Sequence, residues 1–100
     1  MTQYVLSLLA EKDIDEINSY LMSENVTSAR KFIESLHNTA ILLAENPYIG
    51  HTRTDLTSYP VRFYTFKWHY LIIYKACLPL EIVRVLSGYR DIANIINNNE

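Results

Sequence analysis

The sequence predicts an α+β fold: an amino-terminal strand and a helical hairpin packed on an antiparallel sheet, with a short carboxy-terminal helix. Two patterns and one break predict it. Apolar residues recur at helical spacing between Glu11 and Glu45, and strand-forming residues run from Val61 to Leu86. Asn46-Pro47 and Gly50 stand between the two regimes. Helices followed by strands make an α+β arrangement rather than alternating βα units.

Residues 2–8 read as a short strand, although period alone leaves a helix start open. From Glu11, Ile14, Ile17 and Leu21 fall on one helical face, and acids at 11, 13, 15 and 16 suit a helix amino terminus. Asn25 closes this helix, and Thr27 or Ser28 caps the next. In the second helix Ala29, Phe32, Ile33, Leu36, Ala40, Leu43 and Ala44 form one apolar stripe. The short link between the two helices implies an antiparallel hairpin. Asn46-Pro47 stops the second helix, because the residue before proline avoids the helical region. Gly50 is expected to supply a turn conformation closed to most residues.

Residues 46–59 form a polar connection whose length suits either a functional loop or one packed through Tyr48, Ile49 and Leu56. Val61–Phe66, His69–Lys75 and Glu81–Leu86 then read as a three-stranded meander. The middle strand should be central, because Tyr70-Leu71-Ile72-Ile73-Tyr74 is apolar at successive positions. Gly88 ends the last strand, and Asp91 caps a short helix through Ile95 and Ile96.

The chain has 100 residues, 49% hydrophobic and 20% charged, with 2 Gly and 3 Pro, and is expected to form one domain over 1–100. That composition excludes disorder and low-complexity repeats. The lone Cys77 excludes an internal disulfide and a multi-thiolate zinc site, and points to a reducing compartment. The apolar run Tyr4–Ala10 lacks a preceding basic residue and ends at Glu11-Lys12-Asp13, unlike a signal peptide. No run approaches the roughly 20 apolar residues of a membrane span, so a cytoplasmic location is expected.

Net charge is −2, which argues against non-specific binding of nucleic acid through a generally basic surface. Residues 1–50 hold three Lys/Arg against seven Asp/Glu, whereas residues 51–100 hold six against four. An anionic partner should therefore meet the second half.

RNA cleavage by 2′-OH attack needs a base, an acid and cations around the phosphate. His69 or Glu81 could serve as base, Tyr89 as acid, and Arg62, Arg84 and Arg90 as clamps. Strand register decides whether Arg62 and Arg84 share a face. They do if 66 pairs with 69 and 76 with 81, and they do not if 75 pairs with 81. No spacing links His37, His51 and His69 as metal ligands, so no metal or other cofactor is expected. Cys77 reads as an inert turn thiol, and most of the eight tyrosines as sheet packing. Arg53 with Asp55, and Arg90 with Asp91, suit local ion pairs as well as partner contacts.

Leu43-Ala44-Glu45-Asn46-Pro47-Tyr48-Ile49-Gly50, then Arg53-Thr54-Asp55-Leu56, Arg62 and the run Tyr70–Tyr74 lead to Ile82-Val83-Arg84-Val85-Leu86-Ser87-Gly88-Tyr89-Arg90-Asp91. Together these residues closely resemble the ParE branch of the RelE/ParE toxins of bacterial type II toxin–antitoxin systems. The resemblance runs from the first helix to Asp91. It implies a cognate antitoxin that wraps the toxin, a toxin–antitoxin hetero-oligomer, and DNA gyrase as target, with no catalytic residues of the toxin's own. It also implies no sequence-specific contact with nucleic acid. The RelE branch instead cuts mRNA on the ribosome; there Arg62, Arg84 and Tyr89 would be the catalytic candidates. A member that only binds its antitoxin is a further alternative. Ser87 stands where many relatives carry His, and RelE-like members are typically strongly basic, unlike this chain. Arg84, Tyr89 and Arg90 are the expected target-facing residues. An apolar groove between the hairpin and a sheet edge is expected to receive an antitoxin helix or strand.

Overall fold

The computed structural model describes residues 3–67, 69–88 and 92–98. The elements run β1 (Tyr4–Leu6), α1 (Leu8–Glu24), α2 (Val26–Glu45), β2 (Arg62–Phe66), β3 (Tyr70–Lys75), β4 (Leu80–Ser87) and α3 (Ile92–Asn98). The expected α+β architecture is present. The sheet order is β1-β4-β3-β2, with the apolar β3 inside it. β2, β3 and β4 form the antiparallel meander, and β1 joins parallel to β4.

Helix boundaries follow from capping chemistry. α1 begins at Leu8, earlier than the acidic run suggests, because the Ser7 hydroxyl accepts the Ala10 N–H at 3.0 Å. Of the four acids only Glu11 lies in the first turn, and Asp13 turns inward. Asn25 serves both helices. Its N–H closes α1 on the Leu21 carbonyl, and its Oδ1 accepts from Thr27 and Ser28 to open α2. Thr27 and Ser28 are thus capped residues rather than caps.

Alternation splits the sheet into two apolar faces. On one, Phe66, Tyr70, Ile72, Tyr74, Ile82 and Val85 meet the α2 stripe of Phe32, Leu36, Ala40 and Leu43. Phe32 and Tyr70 lie 4.9 Å apart, centroid to centroid, at its centre. Ile33 leaves the stripe and is half-exposed. On the other face Val61, Phe63, Ile73 and Leu86 pack with Ile96 and its neighbours on α3.

The β3–β4 register is a hybrid of the two expected, whereas the β2–β3 register departs by one residue from the expected pairing of 66 with 69. Phe66 pairs with Tyr70 and Lys75 with Glu81, but Ile73 pairs with Arg84 and Tyr74 with Ile82. Val83 is therefore an extra residue, a β-bulge that shifts the second half of β4 by one position. Arg62 lies opposite Tyr74 and Arg84 opposite Ile73, so the two arginines stand at adjacent positions of the β3 alternation, on opposite faces.

Candidate functional site

The loop after α2 is fastened from the sheet. The Tyr74 hydroxyl, fully buried, donates to the Pro47 carbonyl at 2.7 Å and accepts the Gly50 N–H at 2.9 Å. Arg62 Nη1 donates to the Gly50 carbonyl at 2.8 Å, and its guanidinium carbon stands 5.1 Å from the Tyr48 ring centroid. Gly50 has no positive φ, so the expected turn conformation is not its role. A Cβ there would overlap the Tyr74 hydroxyl and lie 2.8 Å from Cε1 of the same ring. Glycine is required by this close approach. His51 then pairs with Phe63 through two backbone hydrogen bonds, tying the loop to the outer edge of β2. Arg53 forks onto Asp55 at 3.0 and 2.8 Å on the exposed surface, forming the expected local pair.

Arg84 is held still more firmly. Its Nε and Nη2 donate to the two Asp13 carboxylate oxygens at 2.7 and 2.9 Å, and Arg84 and Asp13 are 8% and 5% exposed. Asp13 Oδ2 also accepts the Val85 N–H at 3.1 Å. The reason lies in the length of β1. That strand covers β4 only as far as Ile82. Beyond it the edge groups are taken by α1 and its cap: Ser7 Oγ donates to the Val83 carbonyl, and Asp13 accepts from Val85. On this side α1 itself therefore occupies the space where a groove along the sheet edge was expected. The guanidinium pKa is raised, chiefly by the Asp13 hydrogen bonds.

Arg62 and Arg84 of the expected catalytic set are thus not brought together, and Arg84 of the expected target-facing set is buried. Burial behind α1 removes Arg84 from the surface, and the pairing of Arg62 with Tyr74, one position from the Ile73 that faces Arg84, sets the two on opposite faces, with Arg62 engaged by the loop. Tyr89, Arg90 and Asp91, like Trp68, lie outside the described residues. His37 Nδ1 is 2.8 Å from the Tyr4 hydroxyl, and Glu81 lies 3.8 Å from Lys75. Cys77 is exposed, with Sγ against the Lys75 and Pro79 carbonyls.

Two cavities open on the side of the sheet away from the hairpin core. A cleft of about 830 Å³ lies between the 51–56 loop, β2, the start of β3 and α3, and is lined by His51, Arg53, Thr65, His69 and Ile92 among others. A smaller one of about 240 Å³ is lined by Leu9, Tyr59, Val61, Ile73, Val83 and Arg84 among others. Among the described residues no three His, Cys, Asp or Glu are grouped to hold a metal ion. No helix among them is long and apolar enough to cross a membrane.

The family model of the ParE toxin of the type II toxin–antitoxin system parDE matches residues 4–92. The chain belongs to the ParE toxin family. It is thereby a toxin-type component of a ParDE-like system. The fold agrees with a solved chain of the chromosomal ParDE toxin–antitoxin system from P. aeruginosa, at a TM-score of 0.69 and 19% identity. That match covers 87% of this chain and 96% of the other. No curated protein is similar enough to the chain to match it.

Within this ParE-family toxin, the quoted motif is largely the signature of a fold. Pro47 and Gly50 meet Tyr74, Arg53 meets Asp55, and Arg84 meets Asp13. Asp13 was missed as the partner of Arg84. Its one sequence signal is position: with Ala10 and Ile17 it shares a helical face, where a carboxylate must be paired.

Proposed function

We propose that this ParE-family toxin acts by binding rather than by catalysis, with DNA gyrase as its target and a cognate antitoxin as its neutralising partner. The observation that carries this reading is that Arg62 is taken up by the loop carbonyls and Arg84 is buried against Asp13, on opposite sheet faces. A phosphate cannot be clamped between them, and phosphoryl chemistry requires converging cations. Stabilising an enzyme–DNA intermediate requires only a complementary surface. The strand end that leads into Tyr89 and Arg90 is the proposed target-facing region, with Arg90 as its cation.

The test is a pair of assays on the toxin freed of antitoxin. One follows gyrase supercoiling and accumulation of cleavage complexes; the other follows mRNA cutting on programmed ribosomes. Gyrase inhibition without cutting is the expected result. RNA cutting with gyrase untouched would make the chain a RelE-like nuclease and overturn the proposal.

A further inference from the structure

Two of the guanidinium nitrogens of Arg84, Nε and Nη2, hold Asp13. The other, Nη1, is buried and without a hydrogen-bond partner. A buried charged donor without an acceptor is unfavourable and marks a place where an acceptor belongs. Arg84 forms part of the wall of the 240 Å³ cavity, and Lys75 lines the same cavity. Lys75 is half-exposed and only 3.8 Å from Glu81, the outer limit of an ion pair. The remaining lining is mostly apolar: Ile73 and Val61 are buried, while Leu9 and Tyr59 are 37% and 43% exposed. Apolar surface and cationic donors thus occur together in a cavity sized for a side chain or two.

We propose that this cavity seats an anchor from the antitoxin: an aliphatic side chain with a carboxylate beside it. The aliphatic group fills the space over Ile73 and Val83, and the carboxylate takes donors from Arg84 Nη1 and Lys75. Nucleic acid carries no aliphatic anchor of this kind, so a protein segment fits the chemistry better. This inference rests on the toxin–antitoxin reading given above.

The smallest probe with both features is N-acetyl-leucine, and N-acetyl-leucinamide is the same molecule without the charge. Titrated into ¹⁵N-labelled toxin, N-acetyl-leucine should shift the Leu9, Ile73 and Val83 amides, with the amide analogue about tenfold weaker. Equal binding of the two, or shifts confined to other residues, would overturn the proposal. Leu9→Glu tests the partner itself, since it puts a like charge at the cavity mouth on a half-exposed position. This variant should retain its fold by circular dichroism and bind the antitoxin at least about tenfold more weakly. Unchanged antitoxin affinity would sink the cavity assignment and leave the toxin–antitoxin reading standing. Failure of the unaltered toxin to bind any antitoxin would sink that reading itself. A dimer of the toxin that Leu9→Glu dissociates would assign the cavity to a second copy of the chain, and so overturn the proposal.

Discussion

Arg84 and Asp13, 71 residues apart in the chain, form a two-point ion pair that ties β4 to α1 where β1 ends. The carboxylate also receives the Val85 N–H, so one side chain neutralises a cation and satisfies a strand edge. Breaking such a pair strands a charge away from water, whereas replacing both members leaves none.

Asp13→Asn or Arg84→Met alone should therefore destabilise by about 3–5 kcal/mol, because each leaves the other charge buried and unpaired. Asp13→Asn combined with Arg84→Met should restore most of the loss, because the Asn oxygen can still accept the Val85 N–H. Urea unfolding of the single and double variants checks this. Additive losses in the double variant would show that the pair is not coupled.

Gly50 and Tyr74 are coupled by contact. Gly50→Ala should destabilise by about 1–3 kcal/mol, since its methyl group meets the Tyr74 ring and hydroxyl. Tyr74→Phe loses the bonds to Pro47 and Gly50, but removes the hydroxyl that a methyl would strike. The double variant should thus be more stable than the summed effects predict, by thermal melts of all four proteins.

Much of the fold was legible in the sequence because its signals are local. The α2 stripe, Pro47 and the apolar β3 run each follow from residues within a few positions of one another. What escaped was set by distant contacts. The parallel seat of β1 on β4 and the Asp13–Arg84 pair join segments more than seventy residues apart, and the bulge at Val83 is a matter of how β3 and β4 pair. The arginines looked like a site for the same reason. A sequence shows that a cation is present, but not that a carboxylate on another element has already taken it.

Arg53 and Asp55 offer the opposite case. Their fork is well formed, yet both side chains are about half-exposed or more. Asp55→Asn should leave the melting temperature unchanged within error and should remain unaffected by salt. A clear drop would mean that the loop depends on this pair as well as on Tyr74.

Alkali should unfold the protein through its buried tyrosines. Burial raises the Tyr70 and Tyr74 pKa values above the ordinary 10.0. The folded state keeps these protons where the unfolded chain releases them. Their contribution is complete below pH 10.0 and is lost as pH rises through the folded-state values. Stability measured across that range should fall, and Tyr70→Phe should flatten the fall. An identical slope in the variant would assign the alkaline loss to other groups.

The proposal gives Arg84 a role in building the fold and places the target contact farther along the chain, at Arg90. It is tested most directly by gyrase inhibition with the folded Asp13→Asn/Arg84→Met protein beside Arg90→Ala. Inhibition close to that of the unaltered toxin is expected for the first, and a loss of about tenfold or more for the second. A folded Asp13→Asn/Arg84→Met protein that no longer inhibits gyrase, beside a fully active Arg90→Ala, would contradict it.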